Sequence, residues 1–216
     1  MGFYSIVAFF QKGGVFMYPI MLVFGVGMAI AFERWLQLSR IQAANKKMWK
    51  LLQPFLSKGQ FDKAREVANK DKSTMAQMLG MALSRQGAVR RREDIEIAME
   101  ESIMEIIPQL EKRTPYVALL SNIATLLGLL GTIMGLIEAF TAVANANPAE
   151  KADLLSASIS VAMNTTAFGL MSAIPLLLLH AKLTTTTSQI VDNLEMASVK
   201  ALNSISNFTR RQYEGK

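Results

Sequence analysis

Gly128-Leu129-Leu130-Gly131-Thr132-Ile133-Met134-Gly135 lies inside a charge-free run from Thr114 to Ile137. A run of about 24 residues, at about 1.5 Å per helical residue, crosses a hydrocarbon core of roughly 30 Å with a little to spare. It reads as a membrane span. Gly128, Gly131 and Gly135 fall three and four apart, so they share one stripe where another helix can approach closely. Thr132 lies beside that stripe. It places a hydroxyl at membrane depth, where an unpaired polar group is costly and so has a partner or a task.

Working outward, the 216 residues are about half hydrophobic (51%), and the charges fall in blocks separated by clean windows. The run Gly13 to Phe32 holds no charge, and Leu154 to Ala181 is interrupted only by His180. Three spans follow. The block Glu33 to Arg113 carries 16 basic and 11 acidic residues, whereas Ala144 to Asp153 carries Lys151 against Glu150 and Asp153. Lys and Arg are retained on the cytoplasmic side. The expected orientation therefore puts the N-terminus and the 144–153 loop outside and the C-terminus on the cytoplasmic side. The net charge of +6 belongs to cytoplasmic retention rather than to nucleic-acid binding. With no cysteine, disulfides and thiolate metal sites are excluded. Gly13 to Phe32 reads as a retained anchor, since Glu33 and Arg34 follow it and no small-residue cleavage site stands out.

The expected fold is an all-α membrane protein with three transmembrane helices and long cytoplasmic helical extensions. Its segments are a periplasmic interfacial helix over 1–12, rich in Phe and Tyr, and a first span over 13–32. A cytoplasmic helical domain follows over 33–113, then a second span over 114–143, a periplasmic loop over 144–153, a third span over 154–181 and a cytoplasmic C-terminal helix over 182–216. Within 33–113, Arg40 to Leu56 reads as helix, Ser57-Lys58-Gly59 as a turn and Phe61 to Gly80 as one or two short helices. Ile95, Met99, Ile103, Ile106 and Leu110 mark one apolar helix face. That helix is expected to run into the second span, with bends at Pro108 and Pro115. Ile190, Leu194, Ala197, Ala201, Ile205 and Phe208 repeat the pattern after the third span. Thr184 to Thr187 are poor helix formers, expected to ride on a helix fixed by tertiary packing, with local loosening as the alternative.

Candidate chemistry lies in the spans. Ser156, Ser160 and Asn164 are spaced by four, and Ser158, Ala162, Thr166, Gly169 and Ala173 form an adjacent small and hydroxylated stripe. This face is expected to turn into a bundle or lumen. Its hydroxyls either bond back to carbonyls of their own helix or line an ion path. Glu138 lies six residues after Thr132 and is either an interfacial carboxylate or a group that admits ions; His180 is interfacial or a proton relay. Arg90-Arg91-Arg92 is a surface cluster, alternatively a docking point for a partner or for anionic headgroups. The chain shows no phosphate loop, metal-ligand cluster or nucleophile pairing, so an enzyme is not expected, and neither is a cofactor. A solute transporter is disfavoured because three spans offer no inverted repeat. A passive helical scaffold, in which these faces only pack, is the remaining alternative.

Gly13-Gly14-Val15-Phe16-Met17-Tyr18-Pro19-Ile20, Glu33-Arg34-Trp35, Gly128 to Gly135, Thr165-Thr166-Ala167-Phe168-Gly169-Leu170 and Ala173-Ile174-Pro175 together resemble the MotA/TolQ/ExbB ion-channel family, nearest its ExbB branch. The resemblance covers all three spans in order. It implies a ring-forming homo-oligomer of five copies around the single spans of two ExbD/TolR-like subunits, whose span carries an essential aspartate. It also implies a bacterial inner membrane with the N-terminus periplasmic, a TonB-like energy transducer and an envelope target such as outer-membrane transport, or envelope integrity on the TolQ pattern. The family's pathway threonines correspond to Thr132 and Thr166. Two positions depart from the pattern: Val161 stands where ExbB and TolQ carry a glutamate, and Thr125 replaces a proline. The translocated ion is H⁺ or Na⁺; Thr125, Thr132, Asn164, Thr165 and Thr166 offer oxygens to either. Gly128, Gly131, Gly135 and Gly169 serve helix packing.

Overall fold

A computed structural model describes residues 14–85 and 92–214. The interfacial helix expected over 1–12 lies outside the described residues, as do Arg90 and Arg91 of the basic cluster. The described residues form six helices: α1 (Met17–Ser57), α2 (Phe61–Asn69), α3 (Thr74–Arg85), α4 (Arg92–Glu111), α5 (Thr114–Asn145) and α6 (Lys151–Glu214). Three helical stretches among them are long and apolar enough to cross a membrane; they run through α1, α5 and α6.

The described residues divide into two compact units, one formed by residues 14–34 and 113–182, the other by 35–85, 92–112 and 183–214. In the first unit α1, α5 and α6 meet around Ile20, Ala124 and Ala173, with Val23, Leu127 and Phe168 packed against them. Small residues at the centre let the backbones come close. In the second unit the stripe Ile95, Met99, Ile103, Ile106 and Leu110 is buried, as are Ile190, Leu194, Ala197, Ala201 and Ile205. Period-3.6 patterning thus names the faces that pack.

Local chemistry sets the helix ends. Helix α1 stops at Gly59, whose φ of +70° suits glycine; Gly59 N–H reaches Leu56 O at 3.2 Å and Gln60 N–H reaches Phe55 O at 2.9 Å. This paired closure satisfies carbonyls that the ending helix would otherwise leave open. Helix α3 starts where Ser73 Oγ accepts the Ala76 N–H at 3.3 Å and buried Asn45 accepts the Met75 N–H at 3.0 Å.

The two expected proline bends resolve differently. Pro108 sits inside α4, whereas the helix breaks at Lys112-Arg113 and restarts with Pro115 in its first turn. Pro115 has no N–H to close a bond onto the preceding turn, but at the start of a new helix none is needed. Arg113 takes the left-handed conformation, φ 65°, and its Nη1 donates to both carboxylate oxygens of Glu33 at 2.8 Å. Thr184 to Thr187 ride on the helix as expected, and α6 runs through them without loosening. Burial of the Thr187 side outweighs their low intrinsic propensity.

Candidate functional site

The site forms where α5 and α6 run antiparallel in the first unit. A Cβ placed on Gly128 would lie 3.2 Å from Gly169 Cα and 3.4 Å from Thr165 O; one on Gly169 would lie 2.8 Å from Ala124 O and 2.9 Å from Gly128 Cα. On Gly131 it would collide with the Thr165 methyl, and on Gly135 it would meet Ala162 Cβ at 2.9 Å. The glycine stripe of α5 therefore lies against the Ala162, Thr165 and Gly169 side of α6. Ser121 adds a buried bond at one end of the seam, its Oγ donating to Ala173 O at 2.8 Å. The sequence reading passed over Ser121, although it continues the glycine stripe at the same helical spacing. It also passed over Gly27, where a Cβ would meet Leu176 at 2.8 Å, so α1 and α6 share a close approach too.

Around this seam the threonines divide by partner. Thr125 donates to Ser121 O at 3.2 Å, Thr132 to Leu129 O at 2.6 Å and Thr165 to Val161 O at 3.0 Å, each within its own helix. Thr166 instead crosses to α5 and donates to Gly128 O at 2.9 Å. Back-bonding and helix-to-helix bonding thus both occur. Thr165 is buried at 2% exposure, while Thr132 and Thr166 are half-buried and Thr125 is exposed.

One consequence is chemical. A hydroxyl has a single proton and two lone pairs. With the proton committed to a carbonyl, Thr125, Thr132 and Thr166 offer only acceptor capacity to anything that approaches. Thr132 and Thr166 also hang on consecutive carbonyls of α5, those of Leu129 and Gly128, which an α-helix sets about 1.5 Å apart along its axis. Their hydroxyls therefore lie at nearly one depth.

The remaining candidates are placed apart from this pair. Asn164 is half-buried, and Ser156 and Ser160 are exposed, on a stripe turned away from the Ala162, Gly169 and Ala173 side. Glu138 is exposed and His180 half-buried. Val161 lies at 3.2 Å from the position of a Cβ on Gly14, so an apolar side chain fills the place at which the resemblance puts a carboxylate.

Comparison with known proteins gives a consistent picture. The model of the MotA/TolQ/ExbB proton channel family matches residues 70–196, more than half of the chain. The chain is 30% identical over 189 residues to an ExbB-like protein of Synechocystis, covering 85% of this chain and 72% of the relative. It is 26% identical over 196 residues to an ExbB homologue of Methanothermobacter thermautotrophicus, covering 90% and 68%. Against the Tol-Pal system protein TolQ of Haemophilus influenzae it is 29% identical over 119 residues, 55% of this chain. The chain matches half the length of that TolQ relative.

Proposed function

We propose a function from one premise: the chain belongs to the MotA/TolQ/ExbB proton channel family. It is a ring subunit of an inner-membrane motor in which ions descend their gradient between copies of this chain and a single-span ExbD/TolR-like partner. Five copies around two partner spans is the arrangement that the resemblance implies. The N-terminus faces the periplasm and the C-terminus the cytoplasm, as the charge asymmetry directs.

The observation that carries this reading is the acceptor-only pair Thr132 and Thr166, fixed at one depth by consecutive carbonyls. Neither Thr114 to Ile137 nor Leu154 to Ala181 contains a carboxylate. In this reading the carboxyl that titrates inside the membrane is the partner's. A protonated carboxyl is a donor, and these two hydroxyls are placed to accept from it. Once ionised, the same carboxylate has lost that donor, so the contact changes with each proton taken up or released. A sodium ion would use the same lone pairs as ligands. Motion follows because the partner's preference for one copy over the next alters at each such event. The partner's periplasmic part then transmits force to the envelope, through a TonB-like transducer or in a TolQ-like role in envelope integrity.

The passive scaffold is favoured by the glycine seam and by Thr165, buried with its methyl against Gly131. Replacing Thr132 or Thr166 by valine separates the readings. In a motor, Thr132→Val and Thr166→Val assemble with the partner as the parent chain does, yet ion-dependent output falls at least tenfold. If both variants keep assembly and output together, the motor reading is lost and the scaffold stands.

A further inference from the structure

The geometry points to a binding site for a single-chain carboxylic acid, an amphiphile of the fatty-acid class, in a cavity of about 540 Å³ within the second unit. Its walls are α1 between Ser39 and Trp49 and α6 between Ile190 and Ala197, and Met75 at the start of α3 lines it too. Asn45, Met75, Ile190 and Ala197 form its floor, and each is at most 4% exposed. The cavity therefore reaches below the surface, down to the core. At about 1.5 Å per residue the α1 wall is about 15 Å long. The space is thus a groove, extended in one direction, of a volume that holds small ligands.

The lining divides by chemistry. Trp49 and Met196 join Met75, Ile190 and Ala197 as an apolar wall, whose two thioethers adapt to the shape of an occupant. Among the described residues, Lys46 is the one charged group of the lining, a turn before Trp49 on α1. Asp192 and Glu195 of α6 do not line the cavity. Gln42, a turn before Lys46, and Asn193 add amides. Asn45 has no capacity to spare, since its Nδ2 donates to Thr74 Oγ1 at 2.7 Å and its Oδ1 accepts the Met75 N–H at 3.0 Å. Lys46, Gln42 and Asn193 are neither hydrogen-bonded nor ion-paired among the described residues. One ammonium with two amides matches one carboxylate, whereas a phosphoryl group brings a charge of about −1.5 to −2. The apolar wall takes the body of the acid out of water. A two-chain lipid of the bilayer is the wrong occupant. The charge-free run Gly13 to Phe32 ends seven residues before Ser39 and seventeen before Trp49, about 10 and 25 Å along the unbroken helix α1. The acid arrives through water, and the site is independent of the ion path, because none of its residues lies in a charge-free span.

Trp49 reports on the site directly. Trp35 and Trp49 are the chain's two tryptophans, so Trp49 emission is read in a Trp35→Phe background, with Trp35→Phe/Trp49→Phe as the blank. The full complex with its partner, in vesicles of zwitterionic lipid, is titrated with terminally brominated dodecanoate, whose bromine quenches only at contact. Saturable quenching that removes at least half of the Trp49 signal is expected, reversed by unlabelled dodecanoate. Lys46→Gln should raise the half-saturating concentration at least tenfold, and Lys46→Arg should hold it within threefold of the parent. Lys47→Gln, one residue on, should leave it unchanged. Brominated dodecanol, of equal length and without charge, should bind at least tenfold more weakly. Quenching that never saturates, an equal response of Lys46→Gln and Lys47→Gln, or an alcohol as effective as the acid would each overturn the site, the last meaning apolar partition only. Trp49 shielded in the complex from both the brominated acid and aqueous acrylamide would overturn it as well, because a side chain of another copy or of the partner then fills the cavity.

Discussion

Thr165 and Thr166 are neighbours in the chain, yet their hydroxyls answer to different helices. Thr165 bonds within α6 and presses its methyl on Gly131; valine keeps that methyl and loses a bond worth about 1 kcal/mol or less. Thr165→Val should therefore keep both assembly and ion-driven output, in contrast to Thr166→Val. Gly128 O does not become an orphan when Thr166 is removed, because in the α-helix it also accepts the N–H of residue 132. The loss thus falls on function rather than on packing. Glycines obey a different rule. Gly169→Ala drives a methyl into Ala124 O and Gly128 Cα, both backbone atoms, so α5 and α6 must separate. A cost of about 1–3 kcal/mol is expected, as for overpacked cores. Gly25→Ala, which meets nothing within 4 Å, should be neutral. Thermal unfolding of the purified variants in detergent gives the order. The glycine stripe was legible in the sequence because spacing alone places small residues on one side. Which carbonyl each hydroxyl would choose was not, because that depends on a rotamer and on the neighbour that the seam brings within reach.

At the scale of an element, the close of α1 carries a sharp test. Gly59 holds a positive φ, and the Phe208 ring stands where a Cβ would go; that ring also packs edge-on against Phe61, centroids 5.7 Å apart. Gly59→Ala is expected to cost at least the ~1–2 kcal/mol of a left-handed residue with a side chain. It should lower the unfolding midpoint, whereas Lys58→Ala leaves it unchanged. Helix α3 brings a pH dependence. The Ser73 side chain and its N–H, 2.7 Å from Asp71 Oδ1, hold the Asp71 carboxyl below the usual carboxylate range. A depressed pKa contributes stability above the unfolded value that is lost as pH falls through the folded one. Acidification below the ordinary aspartate range should therefore loosen the start of α3, seen as faster amide exchange there, and Asp71→Asn should remove that dependence. Helix faces and the turn at Gly59 were legible from periodicity and from glycine. The site of the break before the second span was not, because Pro108 and Pro115 look alike in sequence. Pro115 opens α5 after the left-handed Arg113, while Pro108 is accommodated within a helix whose Ile106 and Leu110 are buried.

At the scale of the whole molecule, the question is which ion drives the proposed motor. One charge crossing the membrane releases roughly 2.3 kcal/mol per 100 mV, so useful work requires repeated passage. Each passage needs a carrier that binds and lets go. Sodium demands several oxygens at once in a cage of suitable size. Thr132 and Thr166 contribute two hydroxyls at one depth, while Thr165 is buried in the seam and Asn164 sits beside the exposed Ser156–Ser160 stripe. A proton needs less: one carboxyl from the partner, acceptors to meet its protonated form, and water leading to and from it. The acceptor-only hydroxyls suit that cycle, and Val161, in place of an acid, supplies no second carboxyl beside the partner's. Output should therefore be unchanged when Na⁺ is replaced by K⁺ at fixed pH and fixed membrane potential, and should collapse when a protonophore removes the proton gradient. Measured as flux in vesicles holding the full complex, loss of output on the swap to K⁺, with the proton gradient intact, would assign the work to sodium and require a denser set of oxygens around the path than one copy of this chain presents.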